Sequence, residues 1–165
     1  MLTGPVGKNG GLSQSSLLAR ACLGLTRNDG SHETWQQART ELETFLQDQP
    51  ENYSLMADLA LTRISLGDKP AAVALVERAM AAISVEKDAV DGPRVVEALA
   101  RVAAQARESD RAIAILKKLL PLPYQGLMAG RAPLTPVFLQ LDPMFDGIRN
   151  DPRFQALIAS SPSKD

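Results

Sequence analysis

Apolar positions recur with helical spacing along much of the chain. Ala72, Val73, Val76, Ala79 and Met80 stand at offsets 0, 1, 4, 7 and 8, which is one face of a helix. Ala112, Ile113, Leu116, Leu119 and Leu120 repeat those offsets, and Ala38, Leu42, Phe45 and Leu46 repeat them with a polar gap at Arg39. Each of these helices is expected to follow another with its own stripe. Met56, Leu59 and Ala60 match Val96, Leu99 and Ala100 at a shift of 40 residues. Ala38 to Ala72 is 34 residues and Ala72 to Ala112 is 40. The extra length falls in the loop around Lys87 to Pro93, where Asp91-Gly92-Pro93 stops one helix and starts the next. Repetition at this period predicts stacked helix pairs, none of which buries its apolar face alone.

The flanks read differently. Residues 1–12, MLTGPVGKNGGL, are rich in turn formers and predict a disordered lead-in. Helices are expected over 13–120, an irregular linker over 121–136, and short capping helices with a tail over 137–165. Thr135 suits a helix N-cap and Pro136 the first helical position. Asp142-Pro143-Met144-Phe145 with Ile148 is mirrored by Asp151-Pro152-Arg153-Phe154 with Leu157. Each Asp can cap a short helix that folds back on the stack. Ala60 and Ala72, and again Ala100 and Ala112, are placed where paired helices approach closely. Gly67 suits the left-handed residue that ends a helix.

Composition narrows the chemistry. The chain has 165 residues, 45% hydrophobic and 22% charged, with a formal net charge of −1. A protein that grips nucleic-acid backbone should be clearly basic, so direct nucleic-acid binding is not expected. One Cys and one His rule out an intramolecular disulfide and a multi-histidine metal site. No apolar run is long enough to cross a membrane, and Arg20 interrupts Leu17 to Leu25, the only stretch resembling a signal segment. The expected setting is cytoplasmic, either as a separate protein or as the soluble end of a longer one. Residues 1–92 hold 8 basic and 12 acidic side chains, whereas 93–165 hold 10 and 7. That split favours self-association as one outcome.

The repeats resemble the tetratricopeptide repeat. The middle unit carries the resemblance best, with Met56, Leu59, Ala60, Gly67-Asp68, Ala72, Val76 and Ala79. The first unit supplies Ala38, Leu42, Phe45 and a closing Pro50. The third keeps Leu99, Ala100, Ala112 and Leu116, with Arg107-Glu108 in place of Gly-Asp. The resemblance implies an all-α fold: a right-handed stack of antiparallel helix pairs, an α-solenoid of about three repeats with short C-terminal capping helices. The segment LTPVFLQLDPMFDGIRNDPRFQALI resembles the C-terminal end of bacterial regulators in which such repeats follow a serine/threonine kinase, a nucleotide cyclase or a winged-helix domain. None of the kinase motifs is present here.

Other candidate chemistry is thin. Gly4 to Asn9, GPVGKN, has the wrong spacing for a phosphate loop. Cys22 is expected to be a buried, inert thiol, His32 a solvated turn residue, and Trp35 a packing residue at a helix start. Asp142, Asp146 and Asp151 suit capping better than metal binding. Asn52-Tyr53-Ser54 is a glycosylation sequon at an expected helix start.

The resemblance places the binding surface on the first helix of each pair. In the middle unit that face includes Leu61 and Ile64, and in the third Arg94, Glu97, Arg101 and Gln105. Ala57 and Leu61 stand where family members that clamp chaperone carboxylates use Lys and Asn. Arg94 and Arg101, two turns apart, could meet an acidic peptide. The expected function is a non-enzymatic module that binds a protein or peptide in a concave groove, with no cofactor and no metal. The alternative is a C-terminal tail that regulates a multidomain kinase, cyclase or transcription regulator in cis.

Overall fold

The computed structural model describes residues 31–83, 88, 89, 91–127 and 133–160. These residues form helices, turns and coil, with no strand among them. The expected lead-in, the first unit's leading helix with Cys22, and the Gly4–Asn9 segment lie outside the described residues. In sequence order the helices are α1 (Ser31–Asp48), α2 (Tyr53–Ser65), α3 (Lys69–Ala82), α4 (Gly92–Gln105), α5 (Ser109–Leu119), α6 (Pro136–Leu141), a 3-10 helix (Pro143–Ile148) and α7 (Pro152–Ser160).

Local chemistry sets most of these boundaries. Asn52 caps α2, its Oδ1 accepting from the N–H groups of Ser54 and Leu55 at 3.1 Å. Asp68 caps α3 by accepting from Ala71 N–H, and Pro70 falls in the first turn. Thr135 caps α6 by accepting from Phe138 N–H at 3.2 Å. Asp142 and Asp151 accept from the N–H groups of Met144 and Arg153, each at 2.9 Å. The first Asp-Pro segment forms a 3-10 helix and the second an α-helix.

Both helix pairs turn in the same way. At the end of α2, Gly67 N–H reaches Ile64 C=O and Asp68 N–H reaches Arg63 C=O. At the end of α4, Arg107 N–H reaches Ala104 C=O and Glu108 N–H reaches Ala103 C=O. This Schellman arrangement needs a left-handed residue at its centre. Gly67 adopts φ +85°, and Arg107 takes the same place at φ +64°, a conformation disfavoured for a residue with a Cβ.

The helices bury a continuous apolar interior. α2 packs on α3 and α4 on α5, while α1 lies on α2, and α4 touches both α2 and α3. Ala60, Ala72, Ala100 and Ala112 are fully buried, as close approach of paired helices requires. Trp35 is buried near the start of α1. His32 is exposed in the first turn of the same helix rather than in a loop, its ring near Gln36.

The C-terminal segment belongs to this interior. Phe145 and Phe154 are fully buried, with ring centroids 6.0 Å apart, and share a cluster with Leu139, Ile148 and Ile158 against α4 and α5. Burying each Phe contributes roughly 2–3 kcal/mol. Gly147 lies against the end of α4. A Cβ there would sit 2.4 Å from the Ala104 carbonyl oxygen.

Candidate functional site

Glu97 and Arg101 stand four residues apart on α4 and therefore share one face. They are 1% and 2% exposed, which is unusual for charged side chains. The guanidinium closes a fork on Glu97 Oε1, with Nε at 2.9 Å and Nη2 at 2.8 Å. Nη1 donates to Asp142 Oδ2, and the guanidinium carbon lies 5.4 Å from the centroid of the Phe145 ring. The other oxygen of Glu97 accepts from Tyr124 Oη–H and Leu127 N–H, both at 3.0 Å. Tyr124 Oη accepts in turn from Leu134 N–H at 3.0 Å. One turn on, Gln105 donates to the Pro143 carbonyl at 2.9 Å.

Each buried charge in this network is therefore paired and hydrogen-bonded, which keeps its desolvation tolerable. Burial, then the Glu97 carboxylate, pushes the Tyr124 hydroxyl well above its ordinary value. Burial works against the charge on Arg101, but the carboxylates of Glu97 and Asp142 outweigh it and raise its pKa further.

The residues expected to line an open groove are placed differently. Leu61 and Ile64 are core residues, 3% and 5% exposed, and Leu61 shares an apolar cluster with Ala57, Ala98, Leu127 and Met144. Glu97 bonds to Tyr124 and Leu127, Arg101 to Asp142 and Gln105 to Pro143, all within the protein itself. Arg94 is half-buried at the start of α4 and bonds to Asp91 at 3.1 Å. The physical reason is that Tyr124, Leu127 and Leu134, described residues of the expected linker, are held on this face. Arg101 is thus occupied by the protein's own Asp142, and Arg94 by Asp91.

A second buried carboxylate, Asp58 on α2, is 9% exposed. Burial pushes its pKa up to about 7, against a smaller opposing effect from Arg94. Near it, Tyr53 donates to Asp91 Oδ2 at 2.9 Å. Burial and that hydrogen bond push the Tyr53 hydroxyl up to about 12.

Asp142, Asp146 and Asp151 pair with Arg101, Arg149 and Arg153 respectively. No group of metal-ligating side chains occurs among the described residues. No described helix is long and apolar enough to cross a membrane. Open surfaces among the described residues include the face of α6 bearing Val137, Phe138 and Leu141, which are exposed, and a groove between α1 and α3.

Sequence reasoning missed Tyr124 and Asp142 as partners of the α4 pair. The available signal was the pair itself. Glu97 and Arg101 occupy places that are Ala57 and Leu61 forty residues earlier. No family model, no curated protein and no solved structure matches the chain.

Proposed function

We propose that the chain is a non-catalytic protein–protein interaction module, a right-handed stack of tetratricopeptide-like helix pairs closed by its own C-terminal segment. The stacking is supported by the recurrence, forty residues apart, of the same Schellman turn and the same buried alanine pair. The observation that carries the functional reading is how α4 holds Tyr124, Leu127 and residues 142–145. Glu97 accepts a backbone N–H, Gln105 donates to a backbone carbonyl, Arg101 takes a carboxylate, and Phe145 fills an apolar site. Backbone hydrogen bonds combined with side-chain pockets are how interaction modules hold peptides. Here that capacity is met in cis, so a partner engages the outer surface.

The test is affinity capture from the source cells with the full-length protein as bait. It is repeated with Arg78→Glu and with Leu141→Glu, both at exposed positions. A protein retained by the unaltered bait and released by one variant supports the reading. A bait that retains nothing, yet turns over a substrate in a broad activity screen, overturns it.

A further inference from the structure

An open groove of about 500 Å³ runs between α1 and α3. Partly buried Leu46 and Leu75 give it an apolar lining over the buried Leu59, Ala71 leaves one wall low, and Arg63 and Arg78 supply its cations. The repeats differ in charge on this face. Between α3 and α5, Glu77 and Arg111 form a bridge at 2.8 Å. One repeat earlier the matching positions are Glu43 and Ala71. The cation is missing, and Glu43 turns instead to Arg63 at 2.7 Å.

The charges in the groove are unequal. Arg63 is neutralised by Glu43 and by Asp68, the latter at 2.6 Å. Arg78 makes a 3.4 Å contact to the Pro50 carbonyl and has no carboxylate partner among the described residues. The groove therefore combines a leucine surface with one cation that no described carboxylate neutralises. Its open shape suits a helix laid along it better than a small molecule buried on most sides.

We infer that this groove docks an acidic amphipathic helix of a partner protein. Apolar side chains at i and i+4 would meet Leu46 and Leu75, and a Glu or Asp would pair with Arg78. The protein's own stripe at Leu17, Leu18, Ala21, Cys22 and Leu25 is a poor occupant, because the charge within it is Arg20. The inference rests on the reading of the protein as an interaction module and names the surface and the chemistry of its partner.

The test titrates the full-length protein into two fluorescein-labelled helix-forming peptides, read by anisotropy at low and high salt. One carries Leu at i and i+4 flanked by Glu; the other has Lys in place of each Glu. The Glu peptide should bind saturably and about tenfold tighter than the Lys peptide, with the gap shrinking in salt. Arg78→Glu should invert that preference. Ala71→Phe, which raises the low wall without adding charge, should weaken the Glu peptide about tenfold while leaving the melting curve unchanged. Equal affinity for the two peptides, no saturation, or indifference to both substitutions would overturn the inference. If the peptides fail while Leu141→Glu releases a cellular partner, the groove is wrong and the module reading stands.

Discussion

Replacing Arg101 with Met separates the buried charge network from the packing around it. The substitution keeps the volume of the side-chain stem but leaves Glu97, 1% exposed, without its two guanidinium hydrogen bonds. Glu97 retains two neutral donors, Tyr124 Oη–H and Leu127 N–H. Breaking a buried pair from one side costs about 3–5 kcal/mol. Asp142 adds little, because its side chain keeps 20% exposure and can be rehydrated. The lost contact with Phe145, a desolvated one, is worth about 2 kcal/mol, and a thioether beside the ring replaces part of it. The expected loss is therefore about 3–5 kcal/mol. Glu97→Gln combined with Arg101→Met removes the orphaned charge while Gln still accepts from Tyr124 and Leu127. The double variant should lose only about 1–2 kcal/mol, so the two changes are strongly coupled. Urea unfolding followed by far-UV circular dichroism at pH 7 measures all three proteins. Amide exchange at Leu127 reports whether Glu97 still holds that N–H. A loss below about 1 kcal/mol for Arg101→Met, or no recovery in the double variant, would refute the reasoning.

Three further substitutions probe separate features. Gly147→Ala should destabilise by about 1–3 kcal/mol, because its Cβ would lie 2.4 Å from the backbone oxygen of Ala104 and the 3-10 helix would have to shift; chemical denaturation checks it. Arg107→Gly should stabilise by about 0.5–1 kcal/mol, since φ +64° carries a Cβ penalty that Gly67 avoids at the matching turn; a lower melting temperature would count against this. Asp58→Asn should stabilise the fold more at pH 8 than at pH 5. The folded carboxyl keeps its proton to about pH 7, whereas the unfolded one loses it near pH 4. The stability of the unaltered protein is therefore eroded as pH rises through that window, and Asn does not titrate. Urea unfolding of both proteins at the two pH values isolates the effect.

The helices were legible because their signals are local. The stripe through Ala72, Val76 and Ala79 repeats at 3.6 residues per turn wherever the helix sits, and Asn52, Thr135, Asp142 and Asp151 cap with their own side chains. Gly67 was legible as a left-handed residue because glycine adopts that conformation without strain. Arg107 was not, because it is held at φ +64° by the same two backbone hydrogen bonds, and no preference of Arg announces it. The segment 121–136 read as a linker because Pro and Gly report only what a backbone avoids. What pins its described residues, Tyr124 on Glu97 and Leu134 on Tyr124, spans 27 and 10 residues and has no periodic trace.

The same logic explains why the two inner faces differ in chemistry at matching positions. Ala57 and Leu61 on α2 become Glu97 and Arg101 on α4. A helix laid against a neighbour needs only apolar side chains there, since its hydrogen bonds close within itself. Leu127 and Leu134 lie outside any helix, and their buried N–H groups need acceptors brought to them. Glu97 supplies one to Leu127 and, through Tyr124, another to Leu134. A carboxylate so deeply buried requires a cation, which Arg101 provides, and the remaining arm of that cation selects Asp142. The i,i+4 charge pair is thus the consequence of an irregular backbone docking on a helix. The buried Glu97–Arg101 pair, at positions that are apolar in the preceding unit, therefore marks a face of α4 that the protein occupies with its own residues.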